Sequence, residues 1–223
     1  MGQKLFRQKL EIASDYQGDD DYSEETFHEL MGVARLELLA YAEGVLQADK
    51  GKFYSDLSWD IESSQWFEES FPESTFALCL DVIQDPRFLK AKEGWTFLML
   101  FESEWEKVTE QQKAVLLQTL AGVYEQFEDR MPRFSISELV GEKFPASQAY
   151  AFFQQFANSG DERARAFVPH GYEHALRNST DTTLTAQLWT ALLDMEHDQS
   201  EQVRGEVQES LRRLAYHALQ RPT

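Results

Sequence analysis

From Thr109 onward, apolar side chains recur every three or four positions, the spacing that gathers them on one face of an α-helix. A helix starting at Thr109 would bury Leu116, Leu120, Val123, Tyr124 and Phe127, and Met131-Pro132 reads as its stop. Pro145 opens another, with Ala149, Phe152, Phe153 and Phe156 inward. The next, over about 161–177, contains Pro169 and Gly171, so a kink or interruption is expected. Residues 183–196 would bury Leu184, Leu188, Ala191, Leu192 and Met195, and a final helix would bury Val203, Val207, Leu211, Leu214 and Ala218.

The first half follows the same period less cleanly. After a short N-terminal helix and the acidic, turn-rich stretch SDYQGDDDYS, Ser23 can cap a helix. Glu24 and Glu25 then stand in its first turn, where the helix dipole favours anions. Leu30, Ala34, Leu38, Tyr41 and Val45 form its stripe, and Gly51 is its stop. Tyr54, Leu57 and Ile61 share a face in the mixed stretch 52–70. Pro72 begins an element with Phe76, Cys79, Leu80 and Ile83 inward, ended by Asp85-Pro86. The apolar run 95–101 fits a buried strand by periodicity alone; its helical surroundings favour a buried helix. No alternating run with hairpin turns occurs. The expected fold is therefore all-α: stacked antiparallel helix pairs, as an array or a bundle. It would form a single domain over residues 1–223, with an acidic, aromatic-rich half (1–110) and a repeat-like half (111–223).

The repeat lies in the second half. DERARAFVPHGYEHAL, 161–176, aligns with SEQVRGEVQESLRRLA, 200–215, at an offset of 39. Arg165 falls on Arg204, Val168 on Val207, Tyr172 on Leu211 and Ala175 on Leu214, and each segment follows another helix. Asp198, Val203 and Arg204 carry the spacing Asp, four residues, Val-Arg. In this the chain resembles HEAT repeats, whose second helix carries that pattern. The upstream unit departs from it, with Ser159 and Ala164 where Asp and Val would stand. The likeness covers about a third of the chain and implies a binding scaffold rather than an activity.

Charge changes the functional picture. The 223 residues carry 39 acidic and 21 basic side chains, a net charge of −18. Residues 1–110 hold 24 and 10 of these, a net −14; residues 111–223 hold 15 and 11, a net −4. Such a field repels phosphate backbones and anionic membranes, so neither nucleic acid nor membrane is an expected partner. It would steer a basic protein inward. No stretch approaches the roughly 18 consecutive apolar residues of a membrane span. The N-terminus lacks an apolar signal core, Phe6 breaks the myristoylation pattern that Gly2 begins, and the single Cys79 allows no internal disulfide framework. A cytoplasmic location is the resulting expectation.

The stretch FYSDLSWDIESSQWFEESFPES interleaves aromatic and acidic residues, the composition of an anchored, anionic interface. Asp56, Trp59, Asp60, Glu62, Trp66, Glu68 and Glu69, with Asp19, Asp20, Asp21, Glu24 and Glu25 upstream, are the candidate partner-binding residues. Tyr54, Leu57, Ile61 and Phe67 suit the core instead. In size and composition the chain is similar to bacterial immunity proteins, which implies occlusion of a basic toxin or nuclease domain. A scaffold or adaptor within a larger assembly is the alternative.

Catalytic signatures are missing. There is no GxSxG elbow, no Walker loop and no glycine cluster, and Cys79 lies mid-stripe as a small core residue. No catalytic residue, cofactor or metal is expected. One pattern keeps a metal-dependent enzyme open: His170 and His174, four apart, could share a helix face, with Glu173, Asp194, Glu196 or His197 as a third ligand. Against it, Pro169 and Gly171 disturb that helix, and the pair reads as surface or loop histidines beside an acidic turn.

Overall fold

The computed structural model describes residues 69–71, 73–90 and 95–220, together with Ser58 and Glu62. The helix expected after Ser23 and most of the 52–70 stretch lie outside these residues. Among the described residues there are helices and no strands. The chain divides into two compact units, residues 1–119 and 120–223.

In the first unit, α1 (Glu73–Gln84) is followed by a single turn, α2 (Pro86–Leu89). The apolar run forms α3 (Trp95–Ser103), a helix rather than a strand. Phe76, Cys79 and Ile83 are buried, while Leu80 is half-buried. Phe71, Phe76 and Phe101 pack as one ring cluster with centroids 6.2–6.3 Å apart. A short 3-10 turn, Trp105–Lys107, leads to α4 (Glu110–Val123). Its start is a reciprocal capping box: Thr109 N–H donates to Gln112 Oε1 (3.0 Å), and Gln112 N–H donates to Thr109 Oγ1 (3.3 Å). The Gln112 amide also donates to the Phe71 carbonyl at 3.0 Å, tying the cap to the ring cluster. Burial with no charged partner pushes the Cys79 thiol far up, so it is an inert core residue.

The second unit is built from α5 (Arg130–Lys143), α6 (Ala146–Gln154), the single turn α7 (Glu162–Arg165), α8 (Val168–Asn178), α9 (Thr182–Asp194) and α10 (Glu201–Gln220). Aspartates start three of them: Asp129, Asp161 and Asp181 each accept a hydrogen bond from a backbone N–H in the first turn of α5, α7 and α9. Helix α8 is the hub of this unit: α5, α10, α6 and α9 all pack against it. Tyr124, Phe152, Phe153, Phe156 and Tyr172 form a chain of ring contacts.

Two expectations are corrected here. Met131-Pro132 does not simply end the preceding helix. That helix stops at Val123, and Pro132 sits in the first turn of a new one, α5, where its missing N–H costs nothing. Ala218 is exposed rather than buried, and Leu211 and Leu214 are half-buried, since no residue of α10 beyond Ser210 is fully covered. The interruption expected near Pro169 is present at Ala166-Phe167, and Pro169 lies in the first turn of α8.

The 39-residue offset is repeated in side-chain contacts. Arg165 Nη1 donates to the carbonyl of Ser159 at 2.6 Å; Arg204 Nη1 donates to the carbonyl of Asp198 at 2.7 Å. These residues are equivalent under the offset. So are Ala149 and Leu188, Phe153 and Leu192, Phe156 and Met195, Ala164 and Val203, and Val168 and Val207, all of them buried. A third arginine, Arg133 in α5, is 1% exposed and donates to the carbonyls of Tyr124 and Phe127 in the turn before its helix.

Arg165 makes a further contact between the two repeated units. Its Nε and Nη2 donate to both oxygens of Asp198, at 2.7 and 3.0 Å, with side chains only 5% and 10% exposed. The paired guanidinium holds the Asp198 carboxyl below its ordinary value. Asp198→Asn leaves a buried guanidinium without its counter-charge and is expected to destabilise the chain by about 3 kcal/mol at neutral pH. A carboxyl depressed on folding stabilises above its unfolded pKa, about 3.9, and that contribution is lost as pH falls through the folded value. The difference between wild type and Asp198→Asn should therefore shrink below about pH 4, as read by urea denaturation across a pH series.

Candidate functional site

The partner-binding candidates are only partly placed. Glu69 is exposed and Glu62 half-buried; Asp19, Asp20, Asp21, Glu24, Glu25, Asp56, Trp59, Asp60, Trp66 and Glu68 lie outside the described residues. The polar groups that the structure does draw together are on α5, α8 and α10.

Helix α8 is buried along its whole length from Val168 to Leu176. His170, Glu173 and His174 are 3%, 0% and 5% exposed. The two histidines are thus interior residues on a continuous helix, not the surface or loop pair expected, and neither Pro169 nor Gly171 breaks the helix between them. Gly171 is there for close packing: a Cβ would stand 2.1 Å from Phe153 Cζ. Across the α5 contact, a Cβ on Gly141 would stand 2.6 Å from His174 Cβ and 2.8 Å from the Gly171 carbonyl. Gly171 thus lets Phe153 of α6 sit against α8, and Gly141 lets α5 approach α8, which brings Glu138 and Glu142 to the histidines.

The imidazoles stand edge to face, centroids 4.6 Å apart, and Phe134 stacks on the His170 ring at 4.7 Å. Around them is a ring of carboxylates. His170 Nε2 is 3.8 Å from Glu138 Oε1, and its Nδ1 is 3.5 Å from Glu173 Oε2. His174 Nδ1 is 2.9 Å from Glu142 Oε1. Glu173 is in turn held by Arg213 Nε at 2.8 Å and Arg177 Nη1 at 3.6 Å, and Arg213 also meets Glu206 at 3.1 Å. These are close approaches more than aligned hydrogen bonds: both nitrogens of His170, Nδ1 of His174 and both oxygens of Glu173 are buried without a hydrogen-bond partner.

The electrostatics separate the two rings. Burial works against a charged His170, but Glu138 and Glu173 outweigh it and hold this imidazole above its ordinary value. Burial and then the neighbouring His170 hold His174 below it. Burial alone would raise Glu173, but His170 and Arg213 keep it below the ordinary carboxylate value, so it is ionised.

Glu138, His170 and His174 each offer a ligand atom, and these lie within 4.8 Å of one another. Of the third ligands considered from the sequence, Glu173 backs the His170 ring; Asp194, Glu196 and His197 are exposed and outside the cluster. Glu138 went unnoticed because its helix did. The available signal was Asp129 before a proline-bearing first turn, with Glu138 and Glu142 spaced for one helix face.

If the glycine contact sets the approach of α5 to α8, Gly141→Ala should cost about 1–3 kcal/mol by overpacking. Gly205→Ala on α10, where nothing lies within 4 Å, should instead gain about 0.5–1 kcal/mol. Equilibrium denaturation of both variants checks the pair of outcomes.

No family model matches this sequence, and no curated protein or solved structure matches it either.

Proposed function

We propose that the chain is a non-catalytic, acidic binding protein that neutralises a basic protein partner, in the manner of an immunity or inhibitor protein covering a toxin's cationic substrate site. The observation that carries this reading is the charge asymmetry: a net −14 over residues 1–110 against −4 over the rest, with Trp and Tyr interspersed in the acidic part. An anionic surface raises the rate of encounter with a cationic site, and aromatic anchors slow its dissociation. The exposure of Glu69 is consistent with this use. Among the described residues no helix is long and apolar enough to cross a membrane.

A second reading, a helical-repeat scaffold in a larger assembly, is favoured by the repeated arginine contacts at the 39-residue offset. It would extend the likeness to HEAT repeats into a stacked binding surface.

The two readings part on a salt series. The partner to test is a basic protein encoded next to this chain's gene. For an inhibitor, its association rate should fall by about 10-fold or more as salt rises through several tenths molar. Charge reversal at Asp19, Asp20, Asp21, Glu24 and Glu25, or at Asp56, Asp60, Glu62, Glu68 and Glu69, should have a similar effect and abolish protection of cells expressing the partner. Binding that ignores salt and survives both reversals overturns the electrostatic mechanism.

A further inference from the structure

We propose that Glu138, His170 and His174 bind one divalent transition-metal ion of the zinc type. The site stands independently of the protein-binding reading, on a different part of the chain.

Three observations support it. First, the donor set is two imidazoles and a carboxylate converging within 4.8 Å, drawn from two packed helices. Two nitrogens and an oxygen suit zinc, cobalt or nickel; magnesium and calcium take all-oxygen shells. Ligands on tetrahedral zinc stand roughly 3.3 Å apart, so closure from separations of up to 4.8 Å needs at most about 1.5 Å of side-chain movement. Glu138, whose side chain is 35% exposed, is free to supply it.

Second, carboxylates suited to a supporting shell stand close to both rings. A ligating histidine usually turns its other ring nitrogen to a carboxylate, which fixes the tautomer and the ring orientation. Glu173 faces Nδ1 of His170 at 3.5 Å while Nε2 faces Glu138, and Glu142 sits 2.9 Å from Nδ1 of His174. Glu173 is itself fixed by Arg213 at 2.8 Å.

Third, the buried polar atoms are unbalanced without a cation. Neither nitrogen of His170, which is 3% exposed, has a hydrogen-bond partner. The connected group holds four carboxylates, Glu138, Glu142, Glu173 and Glu206, against two guanidiniums, Arg177 and Arg213. A divalent ion would offset this excess of carboxylates over guanidiniums and give the His170 imidazole the partner it lacks. Three protein ligands leave a coordination position for a water or a further donor.

The test uses the full chain, stripped with chelator and titrated with Co²⁺, whose visible bands report coordination. We expect one equivalent to bind with the intense bands of a four- or five-coordinate site, Zn²⁺ to displace it, and Zn²⁺ to raise Tm by several degrees. Glu138→Gln and His174→Gln should each weaken binding by more than about 100-fold, and Glu142→Gln, removing an outer partner, by about 10–100-fold. Circular dichroism of each metal-free variant shows whether it is folded. Glu138→Gln, at a part-exposed position, keeps the test decisive if His174→Gln is not. Weak, six-coordinate bands unchanged by Glu138→Gln, or no stoichiometric uptake by wild type, overturn the proposal.

Discussion

Helix α8 sets the terms for the second unit. It is covered on every side, yet it carries two histidines and a glutamate where an interior helix ordinarily presents only apolar residues. A buried carboxylate without compensation would abandon its charge or unfold the segment. Glu173 keeps its charge because α10 supplies Arg213 and α8 itself supplies Arg177 one turn on. The histidines are met by Glu138 and Glu142 of α5. Helices α5, α8 and α10 are therefore linked by polar contacts as well as by apolar packing, and α5 and α10 both supply partners to the polar groups of α8.

A second, repeated device fixes the turns between helices. In three successive places an arginine one turn into a helix reaches back to carbonyl groups of the preceding turn: Arg133 to Tyr124 and Phe127, Arg165 to Ser159, Arg204 to Asp198 and Gln199. A tight connection between helices leaves carbonyls that neither helix can satisfy. A guanidinium with five donors is suited to collecting them. Arg165 also holds the carboxylate of Asp198, so it fixes its own turn and the next one together.

These features explain what the sequence disclosed. Apolar periodicity identified α4, α6 and α9 because each has one face inward, as Phe152 and Phe153 or Leu188 and Leu192 show. The buried run in α3 was legible as a helix only from its surroundings. The failures were of a different kind. Pro132 is compatible with either a helix end or a helix start, and reading it as an end hid α5 and with it Glu138 and Glu142. His170 and His174 read as surface residues because HGYEH is polar; a helix buried on all sides has no solvent face for its polar residues to mark. Their burial depends on Gly141, Gly171 and Phe153, residues distant in sequence whose meeting no local pattern encodes.

Ion pairs in an interior are an expensive way to hold helices together, since apolar residues of similar volume are often as stabilising. What charge supplies here is register. An apolar face tolerates sliding by one turn with little change in contact chemistry. A one-turn slip of α5 along α8 would move Gly141 off Gly171 and drive a side chain into the contact. It would also take Glu142 away from His174 and leave buried groups unpaired, at a cost well above that of lost packing. The same juxtaposition that makes the alignment unique, two carboxylates from one helix set against two imidazoles from another, is what a cation-binding geometry requires. Register and ligand placement are thus one constraint, met by Gly141 and four polar side chains.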